Sequence, residues 1–256
     1  MTGDQVLIAG FIVTGNDPKT VLIRGLGPSL ADAGVTGALA DPTLELHQGS
    51  SPVATNDNWK TRADGSSQQA EIEATTIPPT NDLESAILAT LNPGEYTAIL
   101  SGTNNGTGVG LVEVYDLSSA VDSQLANIST RGFVDTGDNV MIGGIIVGAG
   151  QGATSHVIVR ALGPSLASGG VQDFLPDPTL ELHDVNGVIL ATNDNWKIND
   201  QTQQSQESEV EATTLAPTNV FESAIVITLA PGNYTAVVQG KSGGAGIGLV
   251  EAYNLP

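Results

Sequence analysis

The chain contains no cysteine, which removes disulfides and thiolate metal sites from consideration. It carries eight Lys and Arg against 28 Asp and Glu, a formal net charge of −20. So few cations argue against nucleic acid, whose affinity comes largely from basic side chains meeting phosphates, and against anionic membrane surfaces. Strong acidity suits a soluble protein in a salty or divalent-rich medium, where cations screen self-repulsion. Aromatic residues are 4% of the chain, with two Trp, too few for a multi-ring sugar platform. No apolar run approaches membrane-spanning length, so no membrane insertion is expected. Met1-Thr-Gly-Asp4 has none of the basic and apolar character of a signal region. No stretch shows a convincing helical period.

What the chain does have is a second copy of itself. Arg24-Gly-Leu-Gly-Pro-Ser-Leu30 returns as Arg160-Ala-Leu-Gly-Pro-Ser-Leu166, and Asp41-Pro-Thr-Leu-Glu-Leu-His47 returns unchanged as Asp177 to His183. Thr55-Asn-Asp-Asn-Trp-Lys60 returns as Thr192 to Lys197, Glu84-Ser-Ala-Ile87 as Glu222 to Ile225, and Gly110-Leu-Val-Glu113 as Gly248 to Glu251. The offset drifts only from 136 to 138 residues along these matches, so the repeating unit is a whole domain rather than a solenoid turn. The division expected is 1–118 for the first repeat, 119–137 for a linker or extra strand, and 138–256 for the second. Leu125-Ala-Asn-Ile-Ser-Thr-Arg-Gly-Phe133 precedes the second copy and has no counterpart before Thr2. The expectation is an excised piece of a longer multi-repeat protein, without its signal peptide, in which one repeat lacks a strand and shows an open edge.

The texture is all-β. Short Val, Ile, Leu and Thr runs alternate with Gly, Pro, Asn and Asp clusters, which predicts strands in the first copy over 6–13, 20–24, 43–47, 51–54, 85–90, 95–101 and 108–117. Thr43–His47 alternates with Leu44 and Leu46 on one face. Pro93-Gly94 and Pro231-Gly232 mark tight turns. The polar stretches 61–72 and 198–209 read as surface loops, and Gly27–Ala33 as a short turn of helix. Two tandem antiparallel β-sandwich domains of jelly-roll-like form are the fold predicted. The run Asp177-Pro-Thr-Leu-Glu-Leu-His-Asp-Val-Asn-Gly-Val-Ile-Leu-Ala-Thr-Asn-Asp-Asn195, with Glu222-Ser-Ala-Ile and Leu229-Ala-Pro-Gly-Asn-Tyr-Thr-Ala-Val-Val238, resembles the bacterial pre-peptidase C-terminal domain, and copy one carries the same elements. The resemblance implies a jelly-roll-like sandwich appended to a secreted protein, a group in which some members bind calcium or matrix polymers.

Several duplicated residues are candidates for chemistry. Asn56, Asp57, Asn193 and Asp194 offer hard oxygen ligands in a loop, and Glu84 and Glu222 are expected to complete a calcium site; the competing expectation is that these are turn formers bonding their own backbone. Trp59 with Asn58, and Trp196 with Asn195, could stack on and bond a sugar, or Trp could plug one end of the sandwich. Arg24 with Glu113, and Arg160 with Glu251, are expected to form a partly buried ion pair between an early strand and the last. Ser29, His47 and Asp41 do not suggest a nucleophilic triad, since Ser29 follows a proline in a turn and sits in no Gly-x-Ser-x-Gly elbow. The carboxylates Glu45, Asp57, Glu73 and Glu84 read as solvated rather than as a glycosidase pair. The Gly-rich stretches 106–110 and 243–248 open no helix that would cradle phosphate. The residues therefore predict no enzyme. They predict a non-catalytic structural or adhesive module of an extracellular or cell-surface bacterial protein, calcium-stabilised, that associates with neighbouring repeats or like chains through strand edges. The alternative is a carbohydrate-binding module whose Asn-Asp-Asn-Trp loops take polysaccharide.

Overall fold

The computed structural model describes residues 6–118, 121–137, 139–148 and 154–255. The chain divides into two compact units, Met1–Ala126 and Asn127–Pro256. Unit 1 contains β1 (Leu7–Gly15), β2 (Lys19–Leu26), β3 (Pro42–Gln48), β4 (Ser51–Asn56), a short helix α1 (Gln69–Ala74), β5 (Ser85–Leu91), β6 (Gly94–Gly102) and β7 (Leu111–Asp116). The strand β8 (Ser123–Val134) starts before the boundary and runs into unit 2. There it is followed by β9 (Met141–Val147), β10 (Ser155–Leu162), β11 (Pro178–Asp184), β12 (Ile189–Asn193), α2 (Glu207–Ala212), β13 (Ser223–Leu229), β14 (Gly232–Gly240) and β15 (Gly246–Asn254). The expected linker 119–137 thus contains a twelve-residue strand.

Each unit is built from two antiparallel sheets. In unit 1, β1, β6, β3 and β4 are neighbours in that order, and β5, β2 and β7 form the second sheet. In unit 2, β9, β14, β11 and β12 correspond to the first sheet, and β13, β10, β15 and β8 to the second. The alternation read in Thr43–His47 is realised: Leu44 and Leu46 are fully buried, as are Leu180 and Leu182. They meet Val21, Ile23 and Ile87 of the facing sheet in unit 1, together with Phe11, Ala98 and Leu100. Unit 2 repeats this core with Val157, Val159, Ile225, Ala236 and Val238. Two sheets burying one face each against the other is the sandwich arrangement.

The sandwich has a further layer. Leu22 and Ala86 point away from the main core and are buried under Trp59 and Ile72, and Ile158 and Ala224 lie likewise under Trp196 and Val210. This corrects the reading of 61–72 and 198–209 as loops only, because α1 and α2 begin within these stretches. Each is six residues long with a single buried residue, Ile72 or Val210, and one apolar residue cannot display a 3.6-residue period. Each helix leads into a threonine in left-handed backbone conformation, Thr76 at φ 66° and Thr214 at φ 62°. A β-branched side chain is disfavoured there. Thr76 is exposed, so Thr76→Asn is expected to raise stability by about 0.5–1 kcal/mol. Chemical denaturation reads this, and a loss of stability would mean the strain is offset by contacts of the Thr side chain.

Candidate functional site

The duplicated motifs converge on the end of each sandwich where the outer layer begins. Gly27-Pro-Ser29 opens a 3-10 turn over Pro28–Ala33, closed by Gly34 in left-handed conformation. A Cβ on Gly27 would lie 2.1 Å from the carbonyl oxygen of Leu39, and one on Gly163 2.0 Å from that of Leu175, so only glycine lets the chain pass. The turn is held from below by Glu84, which has no exposed surface. Its Oε1 accepts from the amides of Gly27 (3.2 Å) and Ser29 (3.0 Å) and from the Ser29 hydroxyl, and its Oε2 from the Asn81 amide (3.3 Å). Glu222 accepts likewise from the backbone amides of Gly163 (3.0 Å), Ser165 (2.9 Å) and Asn219 (3.3 Å). A carboxyl group is tolerated in an interior only when its lone pairs are taken up in this way.

The Asn-Asp-Asn-Trp loop is tied to the same carboxyl-bearing segment. Asn56 Oδ1 accepts from the Ala86 amide at 2.9 Å, while its Nδ2 donates to the carbonyls of Asn58 (3.2 Å) and Thr61 (2.7 Å). Asn193 repeats all three bonds with Ala224, Asn195 and Ile198. The Trp59 amide donates to the carbonyl of Glu84 at 2.8 Å, and its indole Nε1 to that of Asn81 at 3.1 Å. Trp196 makes the equivalent bonds to Glu222 and Asn219. The indoles are only 4% and 5% exposed, and Lys60 and Lys197 place their ammonium groups over the rings. These rings fill the outer layer, and little ring surface remains for a sugar. Asn58 and Asn195 each donate Nδ2 to the preceding aspartate at 3.1 Å.

The residues expected to bind calcium take separate sets of partners. Glu84 and Glu222 are engaged by the turn, and Asn56 and Asn193 by their own loops. Asp57 Oδ1 accepts from Thr43 (3.2 Å) and Thr103 (3.1 Å). In unit 2, Lys241 stands where Thr103 does, and its Nζ lies 2.5 Å from Asp194 and 3.8 Å from Asp177. Burial holds the Asp177 carboxyl above the ordinary aspartate range, Lys241 opposing and Asp194 reinforcing the shift. The Lys241 ammonium is raised chiefly by its hydrogen bond to Asp194. Buried Oδ1 atoms of Asp41, Asp177 and Asp194 have no hydrogen-bond partner. Among the described residues no group of three or more His, Cys, Asp or Glu gathers as a metal site.

Arg24 and Glu113 stand directly opposite each other on β2 and β7. Arg24 Nε donates to Glu113 at 2.8 Å, Nη1 to the Ile77 carbonyl at 2.9 Å and Nη2 to the Tyr115 hydroxyl at 3.1 Å. Arg160 and Glu251 repeat the pairing on β10 and β15. Tyr115 and Tyr253 donate to Glu113 and Glu251, both at 2.9 Å. Burial first, and then the neighbouring carboxylate, push both phenols above the ordinary tyrosine value. Seven of the eight cations sit in ion pairs, with Lys19, Lys60, Arg62 and Lys197 bound to Asp116, Asp82, Glu71 and Glu207. His47 bonds Glu45 at 3.1 Å and His183 bonds Glu181 at 3.0 Å; neither joins a serine. One pattern escaped the sequence reading: Gly240-Lys-Ser-Gly-Gly244 has the letters of a nucleophile elbow. Its Ser242 lies in a 3-10 turn after β14 that leads into a strand rather than a helix, and that is not the strand-to-helix context the motif requires. An open groove of about 250 Å³ runs past Thr43, Asp57, Asn58 and Arg62.

Comparison with known proteins leaves the assignment to these residues. No protein-family model matches the chain, and no curated protein matches it. Among solved structures it is similar to the major capsid protein P2 of bacteriophage PM2, at 8% identity and TM-score 0.26, covering 97% of this chain and 92% of that one. A putative secreted protein from Eubacterium rectale follows at 10% identity and TM-score 0.22, covering 97% and 69%. The VP54 protein of PBCV-1 stands at 7% and 0.22, covering 99% and 94%.

Two predictions follow from the geometry. Arg24→Met alone is expected to destabilise unit 1 more than Arg24→Met combined with Glu113→Leu, by about 1–2 kcal/mol, because the single change strands a half-buried carboxylate; a double variant as weak as the single would remove the pairing. The raised phenols set a pH dependence. A group whose folded pKa exceeds its unfolded value contributes stability below the unfolded value, near 10 for tyrosine, and loses it as pH rises through the folded value. Stability should therefore fall above about pH 10, and Tyr253→Phe should flatten that fall in urea titrations between pH 8 and 11. An unchanged slope would separate Tyr253 from the alkaline transition.

Proposed function

We propose that the chain is a non-catalytic structural or adhesive repeat module of a larger secreted or cell-surface bacterial protein, similar in kind to pre-peptidase C-terminal domains, which associates with neighbouring repeats or like chains through strand edges. The supporting observation is the character of β9, an edge strand of its sheet. Its sequence, Met-Ile-Gly-Gly-Ile-Ile-Val, carries no charge and no proline, the devices that normally blunt an edge. Ile142 and Ile146 are 58% and 70% exposed on one side of it. The motifs that looked chemical hold the outer layer together, and this edge is left with an unmet demand. The buried indoles of Trp59 and Trp196 weigh against the polysaccharide alternative. Of the residues expected to hold calcium, Asp57 carries that part of the reading, since Glu84 and Asn56 are taken up by the turn and by their own loop and Lys241 already bonds Asp194 in unit 2.

Light scattering across protein concentration tests the reading. Mass is expected to rise with concentration, and Ile142→Lys with Ile146→Lys to return the chain to monomer by placing charge on the edge. A concentration-independent monomer would overturn it. Repeating the series with calcium and with chelator reads the cation part, and identical masses and melting temperatures in both would remove calcium.

A further inference from the structure

The two repeats place the same edge in two different states. In unit 2 the last strand, β15, is paired along its outer side with β8, from Gly246 opposite Val134 to Tyr253 opposite Asn127. The corresponding strand of unit 1, β7, is the last of its sheet, with β2 on its inner side and no strand on the other among the described residues. The difference is visible in the strand itself. β15 is nine residues long and β7 six. Both end at equivalent positions, Asn254 and Asp116, so the shortfall lies wholly at Gly108–Gly110, the counterpart of Gly246–Gly248. Those three residues pair with Val134, Phe133 and Gly132 in unit 2. Burial follows the same pattern: Ile247 is 2% exposed and its counterpart Val109 is 36%, and Val250 is 4% exposed where Val112 is only half-buried. The Glu251 side chain is 10% exposed and that of Glu113 24%. Val134, supplied by β8, is fully buried in the core of unit 2.

We infer that the outer edge of β7 is a strand-acceptor site, and that its occupant is an unpaired segment of the pattern Asn-Ile-Ser-Thr-Arg-Gly-Phe-Val carried by a partner polypeptide. This rests on the edge-association reading but concerns a different edge from β9 and a defined occupant. Unit 2 supplies the chemistry and the register. The incoming strand runs antiparallel, with the residue equivalent to Asn127 opposite Tyr115, that of Thr130 opposite Val112, that of Arg131 opposite Leu111, and that of Val134 opposite Gly108. Main-chain hydrogen bonds supply affinity and the alternate side chains specificity, as in other strand additions. The apolar residues at the end of the segment supply cover that Val109 and Val112 lack. Pairing should extend β7 back to Gly108.

The test uses the whole chain, held at a concentration where it is monomeric, and a synthetic peptide covering Ser123–Val134. Fluorescence anisotropy of the labelled peptide should show saturable one-to-one binding, at least tenfold weakened when alternate peptide amides are N-methylated. Register is read by cross-linking, which the absence of cysteine makes clean. Leu111→Cys lies at a 37% exposed position and should form a disulfide with a peptide carrying Arg131→Cys, but not with one carrying Ile128→Cys. Flat anisotropy, insensitivity to N-methylation, or equal cross-linking of both peptides would overturn the acceptor site. Because the peptide is measured against monomer, any of these leaves the self-association result standing, and a chain that never self-associates can still bind the peptide.

Discussion

A buried carboxyl group with every donor in place is the constraint on which each unit depends. Glu84 and Glu222 have no exposed surface, and each gathers amides from the Gly-Pro-Ser turn and from the loop that precedes it. Leaving such a group unsatisfied costs about 1–3 kcal/mol or more, so the turn, the loop and the strand after Glu84 must form together. The same segment accepts the amide of Trp59 through the Glu84 carbonyl. It also presents the Ala86 amide to Asn56. The indole, the asparagine clamp and the short helix of each unit therefore close together over the outer face of the second sheet.

This changes what the duplicated residues mean. Asn-Asp-Asn-Trp, Glu-Ser-Ala-Ile and Arg-x-Leu-Gly-Pro-Ser-Leu all look like site residues when read as letters. In space they are the fastenings of a third layer, repeated because each sandwich needs its own. The Arg24–Glu113 and Arg160–Glu251 pairs tie the second strand to the last across the same outer face. With seven of the eight cations paired to carboxylates, little positive charge remains to recruit a polyanion. The unmet demands that remain are at strand edges, where backbone groups and apolar side chains lack a neighbour.

The strands were legible in the sequence because their signals are local. Alternation in Thr43–His47 and the Pro-Gly turns before β6 and β14 mark faces and ends directly. The pairing of Arg24 with Glu113 was legible because two charges interrupting apolar strands, each present twice, have few other uses. The helices α1 and α2 were not, since their single buried residues are set by what lies beneath them rather than by a period along the chain. The role of Glu84 was also hidden. Apart from the Ser29 hydroxyl its partners are backbone amides, of Gly27, Ser29 and Asn81, and backbone donors leave no letter in a sequence. The strand expected over 108–117 is realised only as Leu111–Asp116, and neither that shortening nor the register of Leu125–Phe133 on β15 leaves a local signal in the sequence.

Native-state hydrogen exchange resolved to single amides tests the central claim most directly. Alternate amides along β15, those turned toward β8, are predicted to exchange at least a hundredfold more slowly than their counterparts along Leu111–Asp116, because one set is hydrogen-bonded and the other faces solvent. The inward amides of the two strands, turned toward β10 and β2, should be protected to similar degrees and serve as the internal reference. Equal protection of the outward amides of β7 and β15 would contradict the account, since it would mean that the edge of unit 1 is already paired.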